Sequence, residues 1–362
     1  MILQGDCMHV LPTLLAGHFH TCVTSPPYWG LRDYGIPPSD WPEVTYTPMP
    51  GLPPLTVPVW TGCLGLEPTP EMFAAHMVLV FREVWRVLRD DATLWLNFGD
   101  AYATTGYKSH SSDSDVAGWD SDRRGQSVAR TAVSGIKVKD LIGIPWRVAF
   151  ALQADGWYLR MDNIWSKTNP MPEIVTDRTT KAHEYLFQLS KSDRYYFDAE
   201  AIKEPGAQDE WANGFRGGAY TEAKTFDNGF GGKRTNRGDF KLSHVFARKV
   251  KESPKPGEVA QHRPDRKPVE YTGMRNKRSV WPVATQPFPE AHFATFPEKL
   301  IEPCILAGAP VGGRVLDPFG GSGTTLKVAL ENGRECTLIE MKPDYVELAE
   351  RRTATIQPKL QF

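Results

Sequence analysis

Val315-Leu316-Asp317-Pro318-Phe319-Gly320-Gly321-Ser322-Gly323-Thr324-Thr325 is the stretch whose reading decides the fold. Residues 314–317, Arg-Val-Leu-Asp, read as a short strand, and Thr324 opens a helix over residues 324–332 that Gly333 closes. Residues 335–340 read as the next strand. Strand, glycine turn, helix and strand make a βαβ unit, and the right-handed crossover sets its two strands parallel. Glycines in such a turn let backbone N–H groups approach a ligand with no Cβ in the way. The helix start beyond them favours an anionic group such as a carboxylate. Glu340 stands at the end of the second strand, 23 residues after Asp317. That is the place of an acid that hydrogen-bonds ribose hydroxyls, so the unit points to a nucleoside-type cofactor. The turn is neither the G-x-G-x-x-G of nicotinamide enzymes nor the G-x-x-x-x-G-K-[ST] of triphosphate sites.

Outward from this unit, residues 1–100, 138–200 and 290–356 alternate short apolar runs with helix-like stretches. A β-prone run at 20–24 ends at Ser25-Pro26-Pro27, where prolines forbid further ladder bonding. Thr69-Pro70-Glu71 supplies a cap, a first position and an acidic first turn for a helix reaching about Leu88. Residues 92–98 read as a buried strand ending at Gly99-Asp100. Asp140 is the expected cap of a helix over 141–154, and 343–355 is the last helix. Two polar, Gly-rich intervals, at about 103–136 and 203–277, show no apolar periodicity. The expected fold is therefore α/β and Rossmann-like, with a mixed, mostly parallel sheet.

The 362 residues are 41% hydrophobic and 23% charged, ordinary values for a globular protein. No apolar run reaches the roughly 18–20 residues of a membrane span. The start, MILQGDCMHVLPTLL, lacks the basic and apolar segments of an export signal. Five scattered cysteines form no C-x-x-C pair, which argues against a zinc site or disulfide framework and for a reducing, cytoplasmic setting. Cys7 and Cys22 read as small core residues. Residues 201–280 hold 17 Lys and Arg against 10 Asp and Glu, an excess of seven positive charges. Because the whole chain carries −1, the remainder carries −8. A basic segment on an otherwise acidic protein is what phosphate contact requires.

Thr24-Ser25-Pro26-Pro27-Tyr28-Trp29 is the second signal. Two prolines stiffen a loop at a strand end and hold the Ser25 side chain, the Pro26 carbonyl and the Tyr28 ring in fixed relation. Together with the glycine turn, it resembles the S-adenosylmethionine-dependent DNA amino-methyltransferases, with their [D/N/S]-P-P-[Y/F/W] tetrapeptide and F-x-G-x-G motif. The chemistry of that family suits these groups. An exocyclic amine of cytosine or adenine is a poor nucleophile because its lone pair is delocalised into the ring. Acceptors aimed at the amine protons localise that pair, so attack on the sulfonium methyl needs mostly positioning and electrostatics. An aromatic face stacks on the base and steadies developing positive charge.

The tetrapeptide precedes the glycine turn by almost 300 residues, a permuted order that resembles the beta group of the family. The resemblance implies catalytic roles for Ser25, Pro26, Pro27 and Tyr28. It implies cofactor contacts from Asp6 in Gly5-Asp6-Cys7, from Asp317, Phe319, Gly320, Gly321, Gly323, Thr324 and Glu340, and from Phe296 and Pro297. Leu94-Trp95-Leu96-Asn97-Phe98-Gly99-Asp100 resembles the strand walling the target pocket. Trp165 to Pro172, with Lys167, and His183-Glu184-Tyr185 resemble the loop that holds a flipped base. The implied organisation is a catalytic half at 1–200 with a polar insertion at about 103–136, a target-recognition insertion at 201–277, and a cofactor-binding half at 278–362. Lys233, Arg234 and Arg237 of the insertion, with Lys167, are the expected DNA contacts.

The expected partners are double-stranded DNA, a cognate restriction endonuclease and a second copy of the chain, in a bacterial, archaeal or phage-encoded system. Ser25 in the first tetrapeptide position leans the target toward cytosine-N4, with adenine-N6 as the alternative. A carbon-5 cytosine enzyme needs a Pro-Cys nucleophile, but Pro303-Cys304 lies in a helix-like segment and reads as packing. A protein-glutamine methyltransferase would carry Asn at position 25 and place the glycine turn first. A catalytically silent DNA-binding protein would be expected to have lost part of the tetrapeptide. Trp29, Trp41 and Trp60 read as loop anchors, and His183-Glu184 has no second histidine for a zinc motif.

Overall fold

A computed structural model describes residues 1–30, 35–103, 135–206, 274–286 and 296–356. Lys233, Arg234, Arg237, the interval 104–134 and residues 287–295 lie outside the described residues. The chain parts into two units, residues 1–202 with 278–362, and residues 203–277. Within the second unit the described residues form a two-stranded antiparallel pair, Glu204–Pro205 with Met274–Arg275, tied by an Arg275–Glu204 ion pair of 2.9 Å.

The first unit is built on an eight-stranded sheet. In chain order its strands are β1 (Ile2–Gln4), β2 (Phe19–Thr24), β3 (Leu88–Phe98), β4 (Tyr158–Lys167), β5 (His183–Ser190), β6 (Val280–Val283), β7 (Arg314–Asp317) and β8 (Glu335–Glu340). They lie in the order β1-β8-β7-β2-β3-β5-β4-β6, and β5 alone runs antiparallel to its neighbours β3 and β4. The expected mixed, mostly parallel α/β sheet is present. Alternate residues along each central strand feed opposite faces. Cys22, Leu94, Leu96, Leu316 and Ile339 join a core with helices Pro70–Val87 and Ile144–Ala154. Val23, Trp95, Val315 and Leu338 join the other core with helices Glu298–Gly308 and Thr324–Glu331. Strands buried on both faces are mostly apolar, so these runs show no simple polar alternation, and the buried Thr21, Thr24, Thr93 and Asn97 are hydrogen-bonded within the protein.

Local signals hold at most helix ends. Thr69 caps Pro70–Val87 by accepting the Met72 N–H at 3.1 Å. Asp140, however, caps no helix, and the next one begins at Ile144 with Gly143 as its cap residue. Its first amides are held by Asp100 beyond the end of β3, whose carboxylate accepts from Gly143 at 3.0 Å and Ile144 at 3.1 Å. The segment around Trp41 and Trp60 folds into two small antiparallel ribbons, with Trp41 stacked on His76 at 4.4 Å. Cys304 is buried in helix Glu298–Gly308, and Cys7 and Cys22 are buried as well.

Candidate active site

The parallel strands β2, β3, β7 and β8 bring their carboxyl ends to one edge of the sheet. Ligands in open α/β sheets bind beyond that edge. Ser25 follows the end of β2, Gly99 the end of β3 and Pro318 the end of β7. Thr24 donates its hydroxyl to Asp317 Oδ1 at 2.7 Å, so the Ser25-Pro26-Pro27-Tyr28 loop and the glycine turn begin side by side.

Asp317 is fully buried, and its carboxylate is held within the protein. Oδ1 also accepts the Phe319 N–H at 3.1 Å, and Oδ2 accepts the Thr325 hydroxyl at 2.6 Å. Burial pushes its pKa above the ordinary carboxylate range, against the pull of those donors. Asp317 thus lies beneath the turn and fixes its two ends. Gly320 packs so closely on Leu338 that any Cβ would collide with that side chain, and its N–H donates to Ile339 O at 2.8 Å. Gly323, with φ 80°, is the cap residue of the next helix, and a Cβ there would meet Ala349 at 2.6 Å. Gly321, with φ 50°, is different, since a Cβ there would meet nothing within 4 Å. Thr324 is buried, and its hydroxyl accepts from Arg352 at 3.2 Å.

Glu340 Oε2 accepts the Gly321 N–H at 2.7 Å and Oε1 the Lys342 N–H at 2.8 Å. Desolvation raises its pKa. Asp6 lies next to this site, because β1 pairs with β8 through Gln4 and Glu340. Its carboxylate caps the following turn through the Met8 N–H at 2.9 Å and accepts the Ser39 hydroxyl. Phe296 is half-buried against the second core, and Pro297 is buried as the residue preceding helix Glu298–Gly308.

On the other side of the edge, the Tyr28 hydroxyl lies 2.8 Å from Glu184 Oε2 and 3.0 Å from Asn97 Oδ1. Ser25 Oγ donates to the Tyr28 hydroxyl at 3.3 Å. Lys167 pairs with Glu184 Oε1 at 2.5 Å and lies 4.6 Å from the centre of the Trp165 ring. Gly99 leaves room for the Tyr28 ring, since a Cβ there would approach Cε2 to 2.8 Å. The loop is braced from below as well. Trp29 donates to Glu67 O at 2.9 Å, while the Glu67 carboxylate accepts the Gly65 N–H and sits 2.9 Å from His76 Nδ1.

The fold therefore brings together the tetrapeptide, the glycine turn, Glu340, Asp6 and Lys167. The sequence pattern includes Thr24, Asn97, Glu184 and Thr325 inside longer segments but assigns none of them a role of its own, and it passes over Glu67 and His76. The register of β5 against β3 puts the carboxyl end of one strand beside the amino end of the other, with Phe98 opposite Tyr185. That register carries Glu184 to Tyr28, and no local pattern encodes it.

The profile of a family described as DNA methylase matches residues 19–351. Type II methyltransferase M.Cfr9I of Citrobacter freundii is 38% identical over 353 residues, which is 97% of this chain and 86% of that protein. Type II methyltransferase M.SmaI of Serratia marcescens is 38% identical over 351 residues, covering 97% and 89%. Among solved structures, PvuII DNA methyltransferase (cytosine-N4-specific) aligns with a TM-score of 0.54 at 16% identity, covering 99% of this chain and 87% of that one. A Thermus thermophilus protein complexed with S-adenosyl-L-methionine aligns at 0.50 and 20% identity, covering 99% and 96%. At these identities the two structural likenesses bear on the fold alone.

Proposed function

The chain belongs to the DNA methylase family, and on that premise we propose that it moves a methyl group from S-adenosylmethionine to the exocyclic amine of a base flipped out of duplex DNA. Cytosine-N4 is the favoured acceptor because Ser25 opens the tetrapeptide. The observation that carries this reading is the 2.7 Å hydrogen bond between Thr24 and Asp317, which seats the acceptor loop against the cofactor turn.

The residues fit the cofactor on one feature, the turn at Gly321, where a Cβ would project into open space beside a half-buried Glu340. Glu340 would hold the ribose, Asp6 the adenine, and the backbone of Phe319, Gly320 and Gly321 the amino-acid end. Asp317 serves that end by fixing the turn, and Gly323, Thr324, Phe296 and Pro297 complete its wall. When bound, the cofactor supplies an electrophilic methyl on a sulfonium. Ser25 Oγ and the Pro26 carbonyl accept the amine protons and localise the nitrogen lone pair. Tyr28, held at its hydroxyl by Glu184 and Asn97, offers a ring face whose position is set before the base arrives. Lys167 and the insertion residues Lys233, Arg234 and Arg237 contact phosphates, with residues 201–277 as the recognition segment. The names of the curated relatives support a Type II setting, with a cognate endonuclease as partner.

The test is incubation of the purified chain with methyl-labelled S-adenosylmethionine and unmethylated duplex DNA, followed by nucleoside mass spectrometry. N4-methylcytosine is expected. N6-methyladenine would overturn the inference from Ser25 and leave the rest. Label recovered in protein, or no transfer to DNA, would overturn the function.

A further inference from the structure

We propose that Ser25, Tyr28 and Glu184 form a proton relay that discharges the amine after methyl transfer, with Glu184 as its terminal acceptor. The relay rests on the reading that the Ser25 loop receives the target amine.

The hydrogen bonds run in one direction. Ser25 Oγ donates to the Tyr28 hydroxyl at 3.3 Å, and that hydroxyl donates to Glu184 Oε2 at 2.8 Å. Asn97 Oδ1, at 3.0 Å from the same hydroxyl, steadies it but is an amide oxygen that holds no extra proton near neutrality. Glu184 is therefore the group at the end of the chain able to take one. Lys167, 2.5 Å from its other oxygen, sets a positive charge beside the carboxylate that the relay needs before transfer. The Glu184 side chain keeps 14% of its surface exposed, so a proton delivered there has an exit to water.

The step balances. Methyl transfer forms the N–C bond from the nitrogen lone pair, while the electrons of the breaking S–C bond stay on sulfur. The nitrogen then carries one proton too many. That proton passes to Ser25 Oγ, the Ser25 proton to Tyr28, and the Tyr28 proton to Glu184. Each hydroxyl gains one proton and loses one, and the product amine leaves neutral beside a protonated Glu184. Water restores the carboxylate.

The groups facing Glu184 are Lys167 on β4, Tyr28 on its loop, Lys181 just before β5 and His183 at its first position. Of these groups His183 carries an imidazole, whose ordinary titration lies near neutrality, and burial lowers its pKa.

The experiment is single-turnover methyl transfer to unmethylated DNA across pH, with cofactor and DNA binding measured separately by calorimetry. Glu184→Gln keeps an oxygen that accepts from Tyr28 and loses the charge that pairs with Lys167, so a purely structural Glu184 predicts at most a change in stability or binding, with the pH profile intact. The relay predicts a rate at least about a hundredfold lower, the lower end of what a general base contributes, and loss of the acid limb of the profile. Both binding constants stay within about twofold of wild type, as expected when only the transition state is affected. Glu184→Asp recovers part of the rate and keeps an acid limb. Tyr28→Phe, which keeps the ring and removes the hydroxyl, loses the limb as well and decides the matter should Glu184→Gln fail to fold. His183→Gln keeps the limb. A wild-type rate and profile in Glu184→Gln, or a limb that disappears with His183, overturns the relay alone. Absence of methylation by the wild-type chain overturns the function beneath it, and the relay with it.

Discussion

Thr24 and Asp317, 293 positions apart in the chain, are joined by a buried 2.7 Å hydrogen bond between the end of β2 and the end of β7. Register alone would leave two loops adjacent. This bond fixes where each one starts, and Thr325 at the head of the next helix fixes Asp317 from the other side.

Thr24→Val keeps the shape and removes the donor. A buried carboxylate oxygen short of a partner costs about 1–3 kcal/mol. Urea unfolding should show a loss of that size, and methyl transfer should fall further than stability alone explains. Thr24→Ser, which keeps the hydroxyl, should restore most of both.

Asp317 gives a pH signature with a defined sign. Burial raises its pKa in the folded protein, so the folded state binds the proton more tightly than the unfolded one. Its contribution is favourable at acid pH and is lost as pH rises from the ordinary carboxylate range through the elevated folded value. Asp317→Asn cannot titrate. The melting temperature of the variant relative to wild type should therefore climb as pH rises through that window. A difference that stays flat or falls would contradict the assignment.

Two adjacent glycines should separate stability from binding. Gly320→Ala drives a methyl into fully buried Leu338, and overpacking at so fixed a site costs about 3 kcal/mol. Gly321→Ala only strains a left-handed backbone, for about 1 kcal/mol, but places its methyl in the open space of the turn. Denaturant unfolding should rank Gly320→Ala as the more damaging. Calorimetry on Gly321→Ala should show S-adenosylmethionine binding weakened out of proportion to its small loss of stability.

Asp100, and not Asp140, holds the start of helix Ile144–Ala154. Asp100→Ala should cost about 0.5–2 kcal/mol, the usual range for a lost N-terminal acceptor. Asp140→Ala, whose carboxylate meets the Lys137 N–H at 3.2 Å in an exposed contact, should stay within about 0.5 kcal/mol. Equal losses in thermal unfolding would reverse the assignment.

Replacing Lys233, Arg234 and Arg237 together with alanine should weaken binding to DNA and flatten its salt dependence by up to about three units of log–log slope. Fluorescence anisotropy at low and high salt measures both. Unchanged binding would remove these residues from the interface.

The sequence is most legible where chemistry is local. The strand at 314–317, its glycine turn, the Thr69 cap and the Ser25 tetrapeptide depend on residues within a few positions of one another, so pattern suffices to find them. The cap of Ile144–Ala154 is misread from sequence because a nearer acid stands in the right place, while the true partner comes from beyond the end of β3, more than 40 residues earlier.

Residue order alone determined a parallel βαβ unit with a glycine turn and a rigid proline loop, because backbone sterics and proline chemistry act between neighbours. Only the tertiary structure decided what each acid does. Asp317 proved to be a pin beneath the turn, and Glu184 reached Tyr28 across 156 positions. Both outcomes follow from strand register and burial, which bring distant carboxylates within hydrogen-bond reach and leave them little freedom to bond elsewhere.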